Sequence, residues 1–350
     1  MLDIGSMTKD ELADFIRRHT QKDGTLPDMR QWPYTQAREL RRRSYGDRVF
    51  LRGLIEFTSY CLMDCYYCGL RRSNAATVRY RLDMRQILDC CDMGHRLGFR
   101  TFVLQGGEDG AWDDRGLCAL VSAIKNRWPD CAVTLSVGER SGSSYRALRD
   151  AGADRYLLRH ETADPSHFQK LHPPPQVFES RKKCLWALRE AGFQVGAGCM
   201  VGSPGQTAEH LAEDLLFLKE LRPEMVGIGP FIPHRDTPFA REKRGSLSDT
   251  LLMLALVRIL LPDVLLPATT ALGSIHPQGR ELGLTAGANV VMPNLSPTDV
   301  RKSYSLYNGK LSSGAEAAEG IAELRARIES IGMRADFSRG DHIPQIRGDI

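Results

Sequence analysis

Eight times between residues 50 and 292, a short apolar, β-branched run gives way to a longer segment, most of them with helical spacing. No other property of the chain constrains its fold as strongly, because strand–helix alternation is the pattern of a parallel sheet covered by helices. The strand-like runs are 50–58, 101–105, 132–137, 155–161, 194–201, 225–231, 264–269 and 289–292; helix-like segments include 84–97, 178–190, 207–221 and 248–261. Several of these end near a glycine (Gly98, Gly152, Gly192), as helix C-termini often do. Eight such units over roughly 240 residues match the length of a (β/α)8 barrel. An open doubly wound sheet is the alternative, but it asks for a Gly-rich turn opening the first helix. Here the first strand runs into cysteines, and Gly196, Gly198 and Gly202 lie inside a strand-like run. The expectation is an α/β chain: a helical segment over 1–48, a TIM-type barrel over 49–299, and an extension over 300–350 closing it. The extension reads as a polar helix at 315–331 followed by a basic tail. Active-site residues are then expected at the C-terminal ends of the strands.

Lys plus Arg number 47 and Asp plus Glu 43, and a balance of +4 is too small to imply a nucleic-acid partner. The most apolar stretch, 251–261, carries Arg258 and stops at Pro262, too short to span a membrane. The first residues lack a basic start followed by an apolar core, so no secretory signal is read and a cytoplasmic setting is expected. An odd nine cysteines, three of them tightly grouped, suit a reducing compartment and a metal site better than a disulfide framework. Asn294-Leu295-Ser296 fits a glycosylation sequon and is read as chance.

Cys61, Cys65 and Cys68 follow the first strand directly. Thiolates favour zinc, copper(I) or iron–sulfur clusters. Structural zinc closes with four ligands, and no second pair of cysteines stands nearby; Cys90, Cys91, Cys118, Cys131, Cys184 and Cys199 are scattered. Three thiolates on a four-iron cubane leave one iron open, as a catalytic site requires.

This spacing, with the aromatic Tyr67 just before the last cysteine, resembles the signature of the radical S-adenosylmethionine (SAM) superfamily. The resemblance implies a 4Fe-4S cluster whose open iron chelates the methionine moiety of S-adenosyl-L-methionine. It also implies one-electron reductive cleavage to a 5'-deoxyadenosyl radical. Gln105-Gly106-Gly107-Glu108 ends the second strand-like run and is similar to the family's element for the methionine amino group; its glycines let backbone approach a ligand. Thr134 and Ser136 share a face by two-residue alternation, as do Arg159 and Glu161, with His160 opposite. Charges inside a barrel are costly unless they bind something. Ser136 and Glu161 suit SAM contacts, and Arg181 could fork onto its carboxylate, although a solvated helix Arg is the plain alternative. Met200, Met225 and Ile232 are apolar enough to flank an adenine, or simply to pack.

Longer strings narrow the resemblance. Cys68-Gly-Leu-Arg-Arg72, Leu135-Ser-Val-Gly-Glu139, Arg159-His-Glu-Thr162, Met200-Val-Gly-Ser-Pro-Gly-Gln-Thr207 and Gly229-Pro-Phe-Ile-Pro-His234 all resemble HydE, the iron-only (FeFe) hydrogenase maturase family. Biotin synthase and methylornithine synthase share the scaffold. The HydE resemblance implies maturation of the two-iron subcluster, on a small, cysteine-derived, iron-bound substrate. It also implies an electron donor such as ferredoxin or flavodoxin, and other hydrogenase maturases as partners. Substrate contacts matching family positions are Arg52, Thr134, Arg159, Thr269, Thr270, Tyr304 and Tyr307. Nothing after Cys199 is a cysteine, so the second cluster of some members is excluded by ligand count. A protein that carries a cluster only for electron transfer or binding is the reading of a different class; Glu108, Glu161 and Arg181 argue against it.

Overall fold

The computed structural model describes residues 3–21 and 25–343; residues 1–2 and 22–24 of the expected helical lead-in, and residues 344–350 of the basic tail, lie outside the described residues. The strands are β1 (Arg48–Leu51), β2 (Gly53–Thr58), β3 (Thr101–Gly106), β4 (Ala132–Ser136), β5 (Arg155–Leu157), β6 (Gln194–Ala197), β7 (Met200–Val201), β8 (Met225–Val226), β9 (Gly229–Pro230), β10 (Val290–Val291) and β11 (Arg334–Asp336).

A parallel sheet runs β2-β3-β4-β5-β6-β8. Parallel bridges Met225–Leu265 and Pro267–Val290 continue it through residues 265–267, and β10 pairs with β1, which leads through Arg52 into β2. Backbone bonds from Val226 N–H to Leu265 O (3.1 Å), Ala268 N–H to Val290 O (2.9 Å) and Leu54 N–H to Pro293 O (2.9 Å) close the ring. All eight strand-like runs therefore become staves of a closed barrel. Every residue of β2 is buried, which explains why the staves read as continuous apolar runs rather than alternating ones.

The covering helices follow their apolar spacing. Helix Met84–Arg96 buries Ile87, Cys90, Cys91 and Gly94, and starts with a capping box between Asp83 and Gln86. It ends before Gly98, whose φ of +99° reverses the chain at no steric cost. Helix Lys9–His19 lies on helix Ala208–Leu221, with Lys9 Nζ 2.5 Å from Glu213. None of the helices among the described residues is long and apolar enough to cross a membrane.

Two expectations need correction. Several staves are shorter than their apolar runs: regular pairing stops at Leu157, Ala197 and Val226, the run 264–269 joins only through single bridges, and that at 289–292 keeps only Val290–Val291. A short second ladder, β7 with β9, carries the wall beyond the rim. The helix read at 315–331 begins only at Ile321, because residues 316–318 bond instead to Asn294: Asn294 N–H to Glu316 O at 2.9 Å and Ala318 N–H to Asn294 O at 3.0 Å. Residues past 300 thus reach the barrel at both ends. Residues 304–316 lie over the mouth, and Arg155 donates from below to Arg339 O at 2.8 Å.

Candidate active site

The first stave ends at Thr58, and the chain then crosses the C-terminal mouth as a loop. Thr58 Oγ1 donates to Asp109 at 2.6 Å, and Leu62 N–H bonds to Glu108 O at 2.9 Å. Asp64 accepts from Arg71 Nε (2.9 Å) and Ser73 Oγ (2.6 Å), which hold its carboxyl down at about 2 against the cost of burial. The glycines of the Gly106-Gly107 pair have a local reason to be there. A Cβ on Gly107 would sit 2.2 Å from Tyr60 O and 2.6 Å from Cys61 Cβ, so the cysteine loop rests directly on that backbone.

Cys61, Cys65 and Cys68 are half-buried free thiols. Met63 N–H points at Cys61 Sγ (3.4 Å) and Gln176 Nε2 at Cys65 Sγ (3.4 Å). Burial pushes all three thiols up, Cys65 to about 11, and at Cys68 the neighbouring cysteines add to the rise. Three thiols that resist ionisation until a positive group joins them are suited to a cationic centre. Two ligands of one tetrahedral zinc would stand ~3.8 Å apart at a Zn–S bond near 2.3 Å. Among the described residues, no set of three metal-ligating atoms within 4.8 Å of one another includes these cysteines. At least one pair of the three thiols therefore stands wider apart than two ligands of a single tetrahedral ion, and the zinc reading loses its geometric support.

Below the loop opens a cavity of about 1120 Å³, its open mouth included. Of the residues nominated from sequence, Tyr67, Cys68, Gln105, Arg159, Met200 and Ile232 line it. Thr269, Thr270 and Tyr307 do so too, Thr269 from the stave next to the one that leads to Ile232. Tyr67 is fixed by His172, its hydroxyl 3.2 Å from Nε2. Tyr304 is buried and accepts from Gln105 Nε2 at 3.3 Å.

The remaining nominated polar groups form a buried to half-buried rim beside the cysteines. Glu108 is pushed up by burial, an effect countered by the positive charge of Arg181. Arg181 is itself buried, bonded through Nε to Glu139 at 2.6 Å and through NH1 to Arg159 O at 3.0 Å; burial works against its charge, and the carboxylates of Glu139 and Glu108 outweigh it. It is no solvated helix Arg. Arg159 NH2 stands 3.1 Å from Glu161 Oε2, yet neither atom has an aligned hydrogen bond, so both keep capacity for a ligand. Glu161 has a φ of +67°, rare for a side-chain-bearing residue. His160 turns to the other face, as alternation requires, and is buried 3.3 Å from Asp214. Ser136 ends β4 half-buried; Thr134, one layer deeper, is buried with an unpartnered hydroxyl.

Two nominated residues, Arg52 and Met225, lie at the other end of the staves. Arg52 donates to Gly340 O (3.2 Å) and to Met225 Sδ (3.2 Å), at the N-terminal end of the barrel against the tail. Both residues begin their staves, whereas the cysteine loop lies past the stave ends, so neither reaches the cavity. Conversely, sequence reading missed Glu139, and it missed the charged lining made by Glu56, Lys310 and Glu316, with the Asn294 amide beside them. Asn294 is buried and donates to Glu56, which removes the sequon reading.

A family model described as the radical SAM superfamily matches residues 55–258. The FeFe-hydrogenase maturase subunit HydE of Thermotoga maritima is 48% identical over 298 residues, spanning 85% of each chain. The 3-methylornithine synthase of Methanosarcina acetivorans is 30% identical over 303 residues, 86% of this chain and 84% of that one. The crystal structure of a methylornithine synthase superposes with a TM-score of 0.80 at 26% identity, covering 94% of both chains. The fold is shared as well by the maturase HydG of Carboxydothermus hydrogenoformans, with a TM-score of 0.77 at 21% identity over 95% of this chain and 76% of that one.

Proposed function

The chain belongs to the radical SAM superfamily, within the HydE maturases of FeFe hydrogenase, and from that premise we propose how its residues divide the work. Cys61, Cys65 and Cys68 would hold a 4Fe-4S cluster, with S-adenosyl-L-methionine on the rim beside it. Together these two groups supply one-electron reductive cleavage of a carbon–sulfur bond, and so a 5'-deoxyadenosyl radical. Glu108, aided by the open backbone of Gly106 and Gly107, accepts from an ammonium. Arg181, braced by Glu139, offers its remaining donors to a carboxylate. Ser136 and Glu161 accept from ribose hydroxyls, and Met200 and Ile232 present an apolar surface to adenine.

The cavity beyond is the substrate chamber. Its Arg159, Thr269, Thr270 and Tyr307 side chains, with Thr134 and Tyr304 behind them, suit an anionic polar molecule. We take this to be the small, cysteine-derived, iron-bound precursor of the two-iron subcluster. A ferredoxin or flavodoxin would deliver the electron, and other hydrogenase maturases would hand the substrate on. Nine free cysteines favour a cytoplasmic setting. We divide the chain into a helical segment (1–48), the barrel (49–299) and an extension that closes it (300–350).

The observation that carries this reading is the loop of three cysteines, seated on Gly107 and opening into a chamber walled by partly unpartnered charges. The similarity to 3-methylornithine synthases supports a second reading, rearrangement of lysine. The deciding experiment gives the reduced, reconstituted enzyme and SAM three compounds separately: lysine, dethiobiotin and a cysteine–iron–carbonyl–cyanide complex. Consumption of the iron complex alone, lost in Arg159→Ala, supports maturation. Turnover of lysine alone replaces it with the second reading.

A further inference from the structure

The charged lining that sequence reading missed contains a buried ion pair of unusual placement. Glu56 lies in β2 and is completely buried, yet it faces the chamber. Its Oε2 accepts from Asn294 Nδ2 at 2.8 Å, and its Oε1 lies 2.7 Å from Lys310 Nζ. Lys310 comes from the segment that covers the mouth; its side chain is 9% exposed, and its ammonium lies 5.4 Å from the Tyr304 ring centroid. The contact between the two charges is Coulombic rather than an aligned hydrogen bond, for Glu56 Oε1 has no bonded partner.

Two charges taken out of water carry a desolvation cost that their attraction must repay, and an apolar pair would fasten the covering segment at least as well. What an ion pair offers that an apolar pair cannot is exchange. A zwitterion placed between the two partners keeps the chamber's net charge constant. It replaces one buried pair with two, carboxylate against Lys310 and ammonium against Glu56. An α-amino-acid head group is such a zwitterion. The neighbouring wall adds a further unpaired hydroxyl, Thr269 Oγ1.

We infer that Glu56 and Lys310 are the specificity-determining pair for the amino-acid head group of the substrate, with Lys310 reading the carboxylate and Glu56 the ammonium. The inference rests on the proposed action on a cysteine-derived, iron-bound compound. It is tested by pairing changes in the protein with changes in the substrate. Iron complexes are prepared from cysteine, from cysteine amide and from N-acetylcysteine, and KM and kcat for their consumption are measured separately. The unsubstituted enzyme should disfavour the amide and the N-acetyl complex by about 10- to 100-fold in KM, since each exchange removes a charge-assisted contact. Lys310→Met should raise KM for the parent complex by a similar factor and abolish discrimination against the amide only. Glu56→Gln, nearly isosteric, should abolish discrimination against the N-acetyl complex only, and it stands by itself if Lys310→Met does not fold. Discrimination that survives in both variants overturns the inference and leaves the maturation reading in place, with the pair a mere fastening. An unsubstituted enzyme that consumes none of the three complexes overturns the maturation reading, and this inference with it.

Discussion

Replacing Gly107 by Ala adds one methyl group, and the structure says what that group would meet. Its Cβ would lie 2.2 Å from Tyr60 O, 2.6 Å from Cys61 Cβ and 3.0 Å from Cys61 Cα. None of these is the yielding end of a long side chain, so the loop must retreat by ~1 Å to reach ordinary contact, an overpacking cost of about 1–3 kcal/mol. The same retreat stretches the 2.9 Å bond from Leu62 N–H to Glu108 O beyond useful range, which costs about 1 kcal/mol more. With an unfolding entropy of about 2.1 cal/mol/K per residue, a loss of ~3 kcal/mol lowers Tm by about 4 °C in a chain this long. Metal–ligand distances tolerate only about 0.2 Å, so a displaced Cys61 should also retain less iron after reconstitution. The assays are thermal unfolding of the cluster-free protein by circular dichroism, and iron per chain after anaerobic reconstitution. Gly110→Ala is the control, because a Cβ there meets only Leu62 Cδ1 at 3.6 Å. If Gly107→Ala matches this control within about 1 °C and in iron content, the loop does not rest on that backbone and the reasoning fails.

Exchanging Cys61, Cys65 and Cys68 together for Ser should remove the broad visible absorption of the reconstituted protein and all 5'-deoxyadenosine formation; four irons retained per chain would sink the assignment. Arg181→Met strips Glu139 of its charged partner, leaving it Ser180 Oγ, and Arg159 O of its donor, so it should cost about 3 kcal/mol in urea unfolding and at least tenfold in SAM affinity by equilibrium dialysis. His167 is buried between Thr162 and Pro204, and burial holds its pKa down to about 4. The unfolded chain then binds more protons than the folded one between about pH 6.5 and 4; the stability is complete above this window and lost as pH falls through it, on the order of 3 kcal/mol. The gap between denaturant midpoints at pH 7 and pH 4.5 should therefore be smaller in His167→Gln than in the parent, where buried His172 adds a loss of the same sign, and an undiminished pH slope would contradict the assignment. Arg52→Met should leave substrate KM within twofold of the parent while Arg159→Ala raises it at least tenfold; equal effects in steady-state assays would restore Arg52 to the chamber.

The barrel was legible because each parallel stave is buried on both faces and so leaves an unbroken apolar run, separated from the next by one helix length. The ends of the staves were less legible. Leu157 and Leu158 are equally apolar, but regular pairing stops at the first; beyond it the two staves are joined only by separate bonds, Leu158 N–H to Gly196 O at 2.9 Å and Glu161 N–H to Gly198 O at 3.0 Å, around the positive φ of Glu161. The cysteine loop was legible from spacing alone, being local in sequence. Lys310 and Glu316 were not: they stand in an irregular segment whose position depends on backbone bonds to Asn294, some twenty residues away, and no periodicity records that. The signal for Glu56 was present and unused, since a carboxylate inside a continuous apolar run must be buried and therefore partnered.

The placement of Arg52 and Met225 away from the cysteine loop has a physical reason that sharpens how barrel sequences can be read. Alternation along a strand tells which side of the sheet a side chain takes, and by that criterion inward residues at either end of a stave are equivalent. It says nothing of height along the barrel axis. Arg52 stands immediately before β2, Arg155 opens β5 and Met225 opens β8. All three therefore point into the lower layer, where Arg155 donates to Thr101 Oγ1 (3.2 Å) and Arg52 to Gly340 O (3.2 Å). Arg159 and Glu161 come two or more residues after the end of β5, and Glu108 two after the end of β3. These reach the mouth. A buried charge at the start of a stave is thus to be read as a partner for the chain that seals the floor, and one past its end as a partner for a ligand. By that rule Arg52 belongs with Arg155 and the tail, which is where its hydrogen bonds are found.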